Sequence, residues 1–168
     1  MGPRPSPESR ADIARFQLQM TRDALAALDR ALATVPDGRF DEQPVPAQKA
    51  VGPMIAHTYQ AAAMCARAAR LGRLEESDMA GIGDPEGTLT RVDIEGMAAT
   101  AREEITAAID AMTPEAADRT IEFFFGPTAT GLQTTSIGYS ETLHHRGQVV
   151  SFLRLMGLEP PNIYEGQM

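Results

Sequence analysis

Four stretches of this chain carry side chains of one character at every third or fourth position, and each runs out at a proline or a glycine. The first is Ile13, Phe16, Met20, Ala24, Ala27, Leu28 and Ala31, followed by Pro36-Asp37-Gly38. The second is Met54, His57, Ala61, Met64 and Ala68, ending at Gly72. The third is Ile94, Met97, Ala101, Ile105, Ala108 and Met112, stopped by Thr113-Pro114. The fourth is Thr134, Ile137, Glu141, His145, Gln148, Phe152 and Leu155, ending at Gly157 with Pro160 and Pro161 beyond. That spacing places each set on one face of a helix. The starts are legible too. Ser6-Pro7-Glu8 offers a cap, a proline at the first helical position and an acid near the positive helix end. Gly52-Pro53 opens the second helix, with a shorter piece from Ala47 as a variant, and Thr90 with Asp93 forms a capping arrangement before the third. Four such helices predict an all-α protein, a four-helix bundle. The links after Arg73 and after Glu115 are long enough for crossover connections instead of simple up-and-down neighbours. The run Ile121-Glu122-Phe123-Phe124-Phe125 reads as a short strand or a buried plug; a plug or dimer contact at a bundle end is the preferred expectation.

At 168 residues the chain is expected to form one domain over 1–168, loose over residues 1–6, with the tail at Ile163 and Tyr164 folding back. Aromatic residues make up only 5% and Trp is absent, which favours helices over a β-sandwich. Fifteen Lys and Arg stand against 23 Asp and Glu, a formal charge of -8, and no basic cluster interrupts the acidic balance. Nucleic acid and anionic membrane surfaces are therefore not expected as partners. No apolar run approaches the roughly 18 residues of a membrane span. The polar N-terminus and the single cysteine, Cys65, point to a cytoplasmic protein with no disulfide.

The chemistry concentrates in Glu141-Thr142-Leu143-His144-His145-Arg146-Gly147-Gln148, which holds two of the three histidines. Glu141 and His145 are one helical turn apart on one face, a spacing that suits two ligands of one metal ion. His57 from a facing helix would make a third, giving two imidazoles and a carboxylate with a position left open for water or substrate. The same pattern also reads as an intrahelical ion pair beside a core histidine, and spacing alone does not separate the two. His145 aligns with Ile137 and Phe152 and is placed inward, while His144 aligns with Ser140, Gly147 and Ser151 and is placed at the edge. Cys65 reads as a small core residue, because no basic partner lies near it in sequence. Arg146 and Gln148 serve equally well as helix cross-links or as substrate contacts.

The segment His144-His145-Arg146-Gly147-Gln148-Val149-Val150, followed by Leu153-Arg154-Leu155-Met156-Gly157 and Pro160-Pro161, resembles the C-terminal signature of the DinB and YfiT-like superfamily of small four-helix-bundle proteins. The resemblance implies a divalent metal on His57, Glu141 and His145, zinc or nickel first and manganese or iron as alternatives. Histidine is usual in the family where this chain has Glu141, so the ion would sit on harder ligands. It further implies a small-molecule substrate, with a low-molecular-weight thiol as cosubstrate of an S-transferase or isomerase. The alternatives are a metal-dependent hydrolase and a non-catalytic, stress-associated bundle; a homodimer is expected.

Overall fold

The computed structural model describes residues 5–83 and 88–163. Its bundle helices are α1 (Pro7–Thr34), α2 (Val51–Leu71), α3 (Arg91–Ala111) and, after a short helix α4 (Pro114–Asp118) and two strands, β1 (Thr120–Phe123) and β2 (Gly126–Thr130), the last helix α5 (Gly131–Leu155). The predicted caps form. The Ser6 side chain accepts from the Ser9 amide with Pro7 behind it, and Thr90 and Asp93 close a reciprocal capping box on α3. Gly72 ends α2 in the left-handed conformation, its φ of 77° favouring glycine.

Cross-links fix the helix directions. Gln17 near the start of α1 bonds Thr135 and Ser136 near the start of α5, and beyond the other end of α1 Arg39 donates to the Met156 carbonyl (3.0 Å), so α1 and α5 run parallel. Arg15 reaches the Met112 carbonyl, Asp29 pairs with Arg102, and Arg91 donates to the Leu32 and Val35 carbonyls, so α3 is antiparallel to α1. His57 meets His145 while Cys65 meets Gly138, so α2 is antiparallel to α5. Packing runs α1–α5–α2–α3 and back to α1, leaving α1 opposite α2. The order along the chain is therefore up, down, down, up. Because α2 and α3 are parallel neighbours, the 72–90 link must return along the bundle, which makes it the expected crossover.

Several expectations change. In the first half of α1 the buried line is Ala11, Ala14 and Leu18, whereas Ile13 and Phe16 are exposed. No helical piece starts at Ala47, whose φ is 63°; α2 begins at Val51 and runs unbroken through Gly52. Helix α5 begins at Gly131, ahead of the expected Thr134, under a capping box between Thr130 and Gln133. Its buried face is Thr134, Thr135, Gly138, Thr142, Arg146, Val149, Val150, Phe152 and Leu153; of the expected stripe Thr134 and Phe152 are buried, while Ile137, Glu141 and Leu155 are exposed. The triple-phenylalanine run is an antiparallel hairpin pairing Ile121 with Ala129 and Phe123 with Gly126, not a buried plug. Ile121 is buried, Phe123 half-buried, and Phe124 and Phe125 stand exposed at the turn. Leu74 anchors the hairpin from the α2 side, donating to the Glu122 carbonyl and accepting from the Phe124 amide, both at 2.9 Å. The loose start is described only from Pro5, and Tyr164 lies outside the described residues. Among the described residues no helix is long and apolar enough to cross a membrane.

Candidate metal centre

Helix α2 is buried on most sides, and among its half-buried positions His57, Ala61 and Met64 share one stripe, with His57 meeting α5. Across the seam between the two helices α5 presents Glu141 and His145. The His57 and His145 rings pack edge to face, 4.8 Å between centroids and 78° between planes. The His145 side chain is 13% exposed, and its Nε2 lies 3.2 Å from Glu141 Oε2. On the other side of the ring, Nδ1 is 2.7 Å from Gln148 Oε1. His144 is exposed at the rim, its ring 5.0 Å from that of His145.

These contacts carry a chemical demand. In the tautomer that carries its proton on Nδ1, His145 donates to the Gln148 carbonyl oxygen. Nε2 then turns a lone pair toward the Glu141 carboxylate, and two acceptors face each other. A positive centre between them, a second proton or a metal cation, removes the conflict. For two ligands about 2.0–2.2 Å from a tetrahedral ion, the ligand-to-ligand separation is about 3.3–3.6 Å, and the observed 3.2 Å is close to it. Gln148 would then be the outer partner that fixes tautomer and ring orientation. The donor set of two imidazoles and a carboxylate thus suits a divalent ion in its chemistry. Among the described residues no trio of His, Cys, Asp or Glu already stands at metal-holding geometry. The structure places all three predicted residues at one seam, with Glu141 and His145 in direct contact and His57 touching through its ring.

Cys65 lies beneath the same seam and is no nucleophile: burial, helped by the negative charge of Glu141, pushes its thiol up to about 12. Arg146, placed by the sequence as a cross-link or a substrate contact, is buried, with Nε and Nη1 lacking a hydrogen-bond partner among the described residues. Two positions that periodicity did not single out shape the surroundings. Gln60 donates through Nε2 to the Gly83 carbonyl, and Arg67 donates to the Ala80 carbonyl (2.9 Å) while pairing with Glu104. Together they strap the link after α2 over that helix. Met79 and Ile82 of the strapped segment, with Phe124 and Phe125 of the hairpin tip, wall a cavity of about 310 Å³ that has His57 at its edge. A second, of about 180 Å³, continues past Met64 and Phe125 toward Thr128 and Ile137.

With this arrangement in place, the comparisons fix the class. The DinB superfamily profile matches residues 17–149, and the chain belongs to that superfamily. Within it, the DinB-like protein YjoA from Bacillus subtilis superposes with a TM-score of 0.67 at 20% identity, covering 89% of this chain and 99% of that one. YfiT from Bacillus subtilis, described as "a probable metal-dependent hydrolase with an unusual four-helix bundle topology", superposes with a TM-score of 0.68 at 14% identity, covering 95% of each chain. No curated protein matches the chain.

Proposed function

We propose that this protein is a metal-dependent enzyme acting on a small molecule, with His57, Glu141 and His145 holding one divalent ion, zinc or nickel first. The observation that carries the reading is the Glu141–His145 contact, 3.2 Å between Nε2 and Oε2, while Gln148 engages the remaining ring nitrogen and His57 packs on the same ring. An ion held by these residues would lower the pKa of a water or thiol brought to it. The protein's own contribution is orientation and shelter. Gln148 holds the His145 ring, the α2–α5 packing sets where His57 stands, and the walls above Ala61 and Met64 shield the adjoining space from water.

Of the two chemistries, hydrolysis is favoured over thiol transfer. Among the described residues the cavity beside His57 has no Asp, Glu, Lys or Arg in its wall to hold a polar, charged low-molecular-weight thiol. The description of YfiT as a metal-dependent hydrolase supports the same choice.

Elemental analysis after incubation with zinc, nickel or manganese tests the reading. Wild type should retain one ion per chain, and His57→Ala and Glu141→Ala should lose it while keeping their helical circular dichroism. Absence of stoichiometric metal in wild type under all three conditions refutes the proposal, and the three residues are then a hydrogen-bond cluster in a non-catalytic bundle.

A further inference from the structure

We infer that the substrate carries an uncharged apolar arm of medium length, laid along α2 from His57 toward Met64 beneath the hairpin tip. The inference rests on the metal-centre reading only for which end of the arm reacts. The walls come from three separate parts of the chain: Ala61 and Met64 on α2, Met79 and Ile82 on the strapped link, Phe124 and Phe125 on the hairpin. All six are apolar, and among the described residues the polar lining is limited to His57 and Gln60. The Gln60 amide is already committed on its donor side to the Gly83 carbonyl, which also fixes which way the amide faces. Against the described walls a charged arm would lose its hydration without gaining a counter-ion, whereas an apolar one gives up no hydration and leaves only the unpartnered Gln60 Oε1 unmet.

Length follows from the helix. Seven residues of rise between His57 and Met64 span about 10 Å, and an extended chain advances about 1.2 Å per bond, so roughly eight bonds fill the first chamber. Phe125 and Met64 belong to both chambers, so they mark the constriction that a longer arm would have to pass. The occupant is a small-molecule arm and not a second copy of the chain, because one end of the cavity is His57, whose ring packs on His145.

Ligand-observed NMR titration of 1-butanol, 1-hexanol, 1-octanol, octanoate and octylammonium against the full-length protein tests this, with and without added zinc. The neutral series should tighten about fourfold for each CH2 up to eight carbons, and both charged probes should bind more weakly than octanol. Ala61→Phe, which fills the chamber from its floor, should abolish the dependence on length. Phe125→Ala, at the exposed turn, should extend it beyond eight carbons. A flat response to chain length, equal binding of the charged probes, an Ala61→Phe variant that still discriminates, or octanol dissociating a dimer in sedimentation would each overturn the inference. Length-dependent binding by a protein that never takes up metal leaves the apolar arm standing and removes the metal-centre reading instead.

Discussion

Replacing Gly138 by alanine should strike the contact on which the seam depends. A Cβ built there would stand 2.8 Å from Cys65 Cβ, about 0.6 Å short of ordinary contact, and both partners are rigidly attached to helix backbone. Glycine to alanine in a helix interior should by itself stabilise, by about 0.5–1 kcal/mol. Gly147, on the same helix with nothing within 4 Å of its Cβ position, supplies that reference. Overpacking opposes the gain at position 138 by about 1–3 kcal/mol. Gly138→Ala should therefore melt roughly 2–12 °C below Gly147→Ala, at about 2–4 °C per kcal/mol for a chain of this size. Since the clash is between Cβ atoms, adding Cys65→Ala should not relieve it. The same strain forces α2 and α5 apart, so metal uptake should weaken in Gly138→Ala and not in Gly147→Ala. Thermal unfolding of the two single variants and of the Gly138→Ala/Cys65→Ala pair decides the matter. Equal melting of the two single variants would refute the close approach of the helices.

Other perturbations read out separate parts of the structure. Gln148→Leu should lower metal affinity by about 10- to 100-fold through loss of ring orientation, measured by competition with a chromogenic chelator; unchanged affinity would remove Gln148 from the site. At Glu104, burial alone would raise the carboxyl, but hydrogen bonds from Arg67 and Arg70 and their charges outweigh it and hold it below the usual glutamate range. Glu104→Gln should cost roughly 1.5–3 kcal/mol at neutral pH. Because the folded value is depressed, the contribution is fully present above about pH 4.3 and is lost as pH falls through the folded value. Wild type should then lose stability faster than the variant in that window, and parallel pH profiles in denaturant titrations would refute the assignment. Cys65, with its thiol near 12, should resist a chromogenic disulfide reagent at pH 8 in the native state and react on unfolding; prompt native reaction would show that it is not sealed.

Helix ends were easier to read than helix faces. Ser6-Pro7 and Thr90 with Asp93 carry their own hydrogen-bonding instructions, and the elements begin where those residues stand. In the first half of α5 the buried face is mostly threonine and glycine, a pattern that apolar periodicity follows poorly. Thr134 and Thr142 donate their hydroxyls to carbonyls four residues back, at 2.9 and 2.8 Å, and so meet the core as if apolar. Ile137 and Leu155 drew the expected stripe to the exposed side of the same helix. Glu141 and His145 were nevertheless paired correctly, because a four-residue interval holds whatever the phase. The straps by Gln60 and Arg67 were not legible, since their partners are carbonyls of a link whose path no local pattern specifies.

The up, down, down, up order also sets when the centre can exist. His57 is synthesised early and His145 late, and the seam joining them needs α5, the last element of the bundle. Until α5 leaves the ribosome and docks, the His57 face of α2 has no opposing helix, and contacts between sequence-distant segments are the slow ones to close. Capture of an ion at the proposed centre would thus be a late event in biogenesis, and a nascent chain stalled before α5 would hold three helices without the seam.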